Sequence, residues 1–384
     1  RSFGQMISDR VRIEAYASAL QKAIFPGAIV VEIGAATGFF SLMACRFGAR
    51  RVYAIETNDA ITVAVQAAAA NGYSDRIQFF QQISTKVELP EKADVLISDL
   101  RGGTPLHSLH IPSIVDGRTR FLKPGGVQLP VRDDVFAALV ASPKFWKEEL
   151  DPWERDLDGF DWSPARRVML NQWWKASVAA HDLLSPSLPL LSIDYTVISN
   201  PSVAGSVSLT PSAAGVVYGF ALSFDAEIFQ GIGFTTRPGQ PGAVVYGPAF
   251  FPLESPLPVT ENDSVTLDLR ADLVGSEYVW TWKTSLNGQL KLVQSTFKAN
   301  LTSPKAFHQA SSSYHPSLNV EGRAVRWILQ NMNGANTNSQ LAAGLLSAFP
   351  GQFASAQAAL RLVAAIVLDY DDAERECPSP GQLP

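Results

Sequence analysis

Cysteine is almost missing from this chain of 384 residues: only Cys45 and Cys377 occur, far apart. Two distant thiols make no disulfide framework, so a reducing, cytoplasmic setting is expected and the fold must rest on its own core. Basic clusters are scarce as well. The net charge is −5, and the densest basic spots, Arg50-Arg51 and Arg166-Arg167, are short. A protein that held nucleic acid by its phosphates would show a basic face, so nucleic acid is excluded as the main partner. Apolar runs such as Ala28 to Ile33 are broken by Gly or charge well short of a membrane span, and no membrane partner is expected. Arg1 to Arg10 carries no apolar core of signal-peptide type, and the missing methionine at position 1 leaves room for preceding residues.

What is present is the composition of a globular protein. Hydrophobic residues make up 46% and charged residues 17%, too apolar a mixture for disorder. The length exceeds one ordinary core, so two or three domains are expected.

Between Ile29 and Val140, short β-branched runs alternate with helical stretches. Ile29–Ile33, Arg51–Ile55, Ile77–Phe80 and Asp94–Ser98 read as buried strands, and Phe39–Phe47 and Ala60–Asn71 as the helices between them. That alternation predicts a parallel, doubly wound α/β sheet. Leu122-Lys-Pro-Gly-Gly126 reads as a turn before an extended segment, Val127–Pro130. Beyond Pro143 the texture changes. Trp146, Trp153, Trp162, Trp173 and Trp174 fall in one irregular, charged stretch, where core and interface packing is favoured over an aromatic cage. Leu190 to Phe297 alternates as Ser206-Val-Ser-Leu-Thr210 does and predicts a β-rich barrel or sandwich. From Leu318 the chain turns helical, ending in an amphipathic helix over Ala354–Tyr370 and a frayed tail from Cys377.

The strongest local signal is Val30-Val-Glu-Ile-Gly-Ala-Ala-Thr-Gly-Phe-Phe40. An apolar strand ends in Glu32, and a loop of small residues opens a helix. Such a loop lets the backbone approach a ligand, and the helix start offers N–H groups. Glu56 closes the next strand, where a carboxylate can accept hydrogen bonds from both hydroxyls of a ribose. A dinucleotide would want a second glycine where Ala36 stands, and Gly38 follows too soon. S-adenosyl-L-methionine carries no phosphate, so it escapes that requirement. The acid Glu32 just before the loop also suits a cationic ligand better than a pyrophosphate.

These residues resemble the class I protein arginine methyltransferases, over Met6 to about Leu292. Met6-Ile-Ser-Asp-Arg-Val-Arg12 looks like the N-terminal helix that those enzymes fold over the cofactor, and the resemblance pairs Arg12 with the cofactor's carboxylate. Glu32-Ile-Gly-Ala-Ala-Thr-Gly38, with Gly34 and Ala36, looks like their glycine loop, and Glu56 with Thr57 like the ribose acid and its neighbour. Gln82–Thr85, which includes Ile83 and Ser84, falls where the family binds adenine. The resemblance implies a Rossmann-like methyltransferase domain over 1–140 and a β-barrel domain over 141–317. A helical dimerisation arm near 146–180 would make a homodimer, and 318–384 would be a helical segment. That last segment weakly resembles helical peptide-binding domains of the PqqD type, which implies presentation of a peptide, with a helical cap on the barrel as the other reading.

The departures fall on the acceptor side. The family grips a substrate guanidinium between two glutamates. Here the strand ends Leu96-Ile-Ser-Asp99, and the loop Leu100-Arg-Gly-Gly-Thr-Pro-Leu-His-Ser108 returns no second acid. Arg101 places a positive charge where a guanidinium would be repelled, or where an acidic substrate group would bind. The family's Thr-His-Trp motif aligns with Val244-Val-Tyr246, so its histidine is missing. Asp99, His107 and His110 are the polar groups left for general-base work, with Asp99 and His107 the candidate catalytic pair and no metal expected. The expected function is methyl transfer to a protein, peptide or small-molecule nucleophile; the alternative is a pseudoenzyme that keeps the cofactor fold as a scaffold.

Overall fold

A computed structural model describes residues 2–153, 159–241, 245–301 and 303–371. Cys377 and its tail, and Val244, lie outside the described residues. The chain divides into two compact units, one running to Asn300 and one beginning at Leu301.

The larger unit opens with two helices, α1 (Ser2–Ser8) and α2 (Arg10–Ala23). Asp9 caps α2 by accepting from the Arg12 amide, which satisfies one of the orphan donors at a helix start. Strands β1 (Ile29–Ile33), β2 (Arg51–Ile55), β3 (Ile77–Phe80), β4 (Ala93–Ser98) and β5 (Leu122–Leu129) then form one parallel sheet in the order β3-β2-β1-β4-β5. Helices α3 (Phe39–Arg46), α4 (Ile61–Ala70) and α5 (His110–Arg120) are its crossovers. All five residues of β1 are buried, because a parallel sheet is covered on both faces. The strand order reverses between β1 and β4, so their carboxyl ends open a crevice there.

One local expectation is overturned. Leu122–Gly126 was read as a turn, but β5 begins at Leu122 and pairs with Ala93 before resuming at Val127 opposite Val95. An irregularity with Gly125 at φ 77° absorbs the Lys-Pro-Gly-Gly sequence.

β6 (Arg132–Val140) leaves the parallel sheet. It pairs antiparallel with β8 (Leu188–Asp194) and β10 (Gly215–Phe229), although 1–140 was read as one α/β domain. Between β6 and β8 lie α6 (Lys144–Leu150), α7 (Ser163–Met169) and the short strand β7 (Trp174–Lys175). Trp146 is buried and donates to Leu253 O, and Trp173 stacks on Phe251 at 5.8 Å. Both therefore serve packing. The sheet order is β7-β12-β10-β6-β8, with β12 (Ala249–Val259), and β11 (Ile232–Thr235) pairs with β10. A second antiparallel sheet runs β15 (Gln289–Ser295), β14 (Glu277–Leu286), β13 (Val265–Val274) and β9 (Val203–Leu209). Phe251, Trp280 and Trp282 meet between the sheets.

The smaller unit holds α8 (Pro304–Gln309) and three longer helices, α9 (Val320–Asn331), α10 (Asn338–Ala348) and α11 (Ala356–Tyr370). Ser355 caps α11, and Thr337 and Gln340 form a capping box on α10. Ile328, Leu345 and Val363 are its fully buried centre. No helix among the described residues is long and apolar enough to cross a membrane. Leu345→Ala removes the middle of that core and should cost about 2–5 kcal/mol. Hydrogen exchange should show the loss as lower protection of the α10 and α11 amides, and unchanged protection would contradict this assignment of the core.

Candidate functional site

The loop after β1 is shaped by two left-handed glycines. Gly34 has φ 82°, and a Cβ there would lie 2.2 Å from Leu100 Cδ2. Gly38 has φ 77° and caps α3, and a Cβ there would lie 2.8 Å from Ala64 Cβ. Neither position tolerates a side chain. The loop amides, expected to point at a ligand, are mostly committed inside the protein. Gly34 and Ala35 donate to Ile55 O, Ala36 to Glu56 Oε2 at 2.8 Å, and Gly38 to Ala35 O. A pyrophosphate would have needed those donors free.

A cleft opens beside this loop. Its lining gathers Met6, Arg12, Glu32, Gly34, Ala36 and Asp99 from the expected site residues, with Phe3 and Ile7 of α1 and Phe39 and Phe40 of α3. Glu56 stands at the neighbouring strand tip, half-buried, and accepts from the Ala36 and Asn58 amides. Thr57 next to it is exposed. Ile83 and Ser84 begin a 3-10 turn after β3, and Arg120 of α5 donates to Ser84 O at 2.7 Å and holds the turn in place.

Glu32 is fully buried and accepts from Ser41 Oγ at 2.5 Å. Burial pushes its carboxyl up to about 8, against the opposing effect of the Ser41 hydrogen bonds. Asp99 behaves in the opposite way. Burial alone would raise it, but Arg12 and Arg101 outweigh burial and hold it well below the usual carboxylate range. Arg12 reaches Asp99 Oδ2 from Nε at 2.7 Å and from a terminal nitrogen at 2.6 Å. Arg101 reaches Oδ1 at 2.8 Å, and the Tyr246 hydroxyl lies 2.7 and 2.8 Å from the two oxygens. Arg101 in turn grips Asp133 through Nε and a second nitrogen, at 2.7 and 2.8 Å. Tyr195 donates to Asp133 at 2.6 Å.

Two expectations about the loop are therefore corrected. Arg101 is not turned toward an acidic substrate group, because its side chain is wholly buried against Asp99 and Asp133. His110 is not an available polar group either. It begins α5 fully buried beside Tyr195, its ring nitrogens have no partner among the described residues, and burial and Arg101 push it down to about 3. His107 is exposed, lies against Gly102 and does not line the cleft. Asp99 lines it, yet both its oxygens are occupied by cations and a phenol, which leaves it a poor proton acceptor. Tyr246 was read only as the place of a missing histidine. Its ring stacks on Phe234, and Val245 beside it donates to Asp9, so the β-rich half reaches α2 and the end of β4 together.

Known proteins similar to this chain are methyltransferases. Residues 15–126 match the family model described as ribosomal protein L11 methyltransferase (PrmA). A probable protein arginine N-methyltransferase 6 from Arabidopsis thaliana is 30% identical over 232 residues, 58% of this chain and 53% of that protein. Protein arginine N-methyltransferase 1 of Schizosaccharomyces pombe is 28% identical over 242 residues, 61% of this chain and 71% of that protein. The chain is thus similar in sequence to protein arginine N-methyltransferases. It spans about half the length of the Arabidopsis relative. Two solved structures share its fold. The Trypanosoma brucei PRMT1 enzyme-prozyme heterotetrameric complex with AdoHcy superposes with a TM-score of 0.70 at 20% identity, covering 76% of this chain and 96% of that one. Arabidopsis thaliana protein arginine methyltransferase 10 gives 0.65 at 20% identity with the same coverage. Like these relatives, the chain joins a Rossmann-like sheet to a β-barrel domain.

The protonation of Glu32 gives a test of the site's burial. Between its ordinary value of 4.5 and about 8 the folded carboxyl keeps a proton that the unfolded chain has released. Stability contributed at this position therefore falls as pH rises through that window. Glu32→Gln removes the effect, so urea melts should show the variant gaining on the wild type from pH 5 to pH 8. A constant difference between the two would contradict a buried, protonated Glu32.

Proposed function

We propose that the chain is an S-adenosyl-L-methionine-dependent methyltransferase acting on a protein, peptide or small-molecule nucleophile. The observation that carries this reading is the cleft at the carboxyl ends of β1 and β4, floored by the loop Gly34–Gly38 and flanked by Glu56. The residues present fit the cofactor. Committed loop amides suit a nucleoside without phosphates, and the two left-handed glycines keep the loop free of side chains. Glu56 is assigned to the ribose hydroxyls with Thr57 beside it, and Ile83 and Ser84 to the adenine edge. Arg12 with Met6 is assigned to the amino-acid end, and Glu32 to the loop's own support.

When bound, the cofactor supplies an activated methyl on a sulfonium, so the protein's task is alignment and exclusion of water. Phe3, Ile7, Phe39 and Phe40 make the apolar walls that exclude it. Asp99 holds Arg12 at the cleft and so positions it. His107 is exposed outside the cleft, so as a base it would serve only an acceptor that reaches from the loop into the cleft. Pairing of two copies through the arm near 146–180 is supported by the exposed rings of Phe160 and Trp162 and by the resemblance. Presentation of a peptide by the C-terminal helices, rather than a helical cap, is supported by the groove between Val320, Ala324, Phe353 and Leu362.

Calorimetric titration tests the cofactor assignment. The wild type should bind S-adenosylmethionine and S-adenosylhomocysteine. Glu56→Ala should weaken both about 10- to 100-fold, the range for losing a hydrogen bond to a charged group. Absence of binding to the wild type would overturn the reading.

A further inference from the structure

The surroundings of Arg101 have the composition of a receptor for a guanidinium. Two carboxylates hold it: Asp133 takes Nε and one terminal nitrogen in a parallel pair, and Asp99 takes the other terminal nitrogen. Tyr16 Oη accepts a further bond from that nitrogen at 2.8 Å. Phe224 and Phe234 each place a ring centroid 5.9 Å from the guanidinium carbon. Paired carboxylates match the planar fork of arginine, and aromatic rings add cation–π attraction. This receptor is filled by the chain's own side chain, none of which is exposed. Asp99 has no oxygen left for a third cation, because Arg12 and Tyr246 cover the rest of it. The other acid lining the cleft, Glu32, is engaged by Ser41.

We propose that Arg101 is an internal guanidinium that occupies the Asp99–Asp133 pair and so closes the site to arginine, setting its specificity for an acceptor with no cationic head. This rests on the methyltransferase reading only for the word acceptor; the occupied receptor is a property of the folded chain. An arginine substrate brought to the cleft meets Arg12 and no open carboxylate. A neutral or anionic nucleophile, such as a thiolate, an imidazole or a carboxylate, needs none to hold it.

The test uses the full chain and guanidinium ion as the probe. Arg101→Ala leaves the two carboxylates around an empty, guanidinium-shaped space. Millimolar guanidinium chloride, far below denaturing concentrations, should raise the variant's melting temperature by several degrees over the same concentration of sodium chloride. The wild type should respond alike to both salts. An equal response of variant and wild type would overturn the proposal, since it would show that Asp99 and Asp133 form no receptor for a guanidinium; the peptide arm separates a closed acceptor site from a merely structural arginine. A second arm needs no variant. Wild-type protein with S-adenosylhomocysteine is titrated with an arginine peptide and its norleucine counterpart, and no arginine-dependent binding is expected. Tighter binding of the arginine peptide, or its methylation, would overturn the proposal while leaving the cofactor assignment standing. Should the alanine variant fail to fold in either salt, the peptide arm decides alone.

Discussion

A buried chain of alternating charges, Arg12–Asp99–Arg101–Asp133, is the constraint on which the site depends. It joins α2, the end of β4, the loop after it and the start of β6, and Tyr246 and Tyr195 bring in two more segments. Taking four charges out of water costs several kcal/mol each before pairing. Alternation offsets that cost, because each charge faces at least one of opposite sign at 2.6–2.8 Å. Such a network adds little to stability over an apolar core of the same volume, but removing one member strands a buried ion. Its contribution is definition of position: the Arg12–Asp99 pair ties α2 to the end of β4.

That definition reaches the cleft through Arg12. Its guanidinium is held by Asp99 and Tyr246 on one side and Met6 O on the other, with the Phe40 ring 5.0 Å from its carbon. The N-terminal helices thus have a charged anchor where they close over the glycine loop. The same geometry decides which chemistry the site can perform. A carboxylate surrounded by two guanidinium groups and a phenol gives up its proton readily and takes none back near neutral pH. Alignment of a nucleophile that is already reactive suits such a site better than acid–base catalysis by Asp99.

How far the sequence showed this differs from one element to the next. β1, β2 and β3 have the bounds read from sequence; β1 and β2 do because strands buried on both faces are short apolar runs with sharp ends. Gly34, Gly38 and Glu56 were legible for a related reason: loop glycines and an acid at a strand tip are local signals. The charge network was not legible. Arg101 meets Asp133 across 32 residues and Asp99 meets Tyr246 across 147, and no local spacing announces such partners. Sequence reasoning therefore gives Arg101 a place facing the acceptor and His110 a place among the loop's candidate bases. β6 was hidden by the same limit, since it follows β5 almost without a break and changes sheet only through pairing with β10 and β8.

A crystal structure of the protein with S-adenosylhomocysteine tests the central claim most directly. The account predicts the ligand in the cleft beside Gly34 and Glu56, with Arg101 still bound to both Asp99 and Asp133. A ligand bound elsewhere, or an Arg101 side chain displaced from the two carboxylates when the cleft fills, would contradict it.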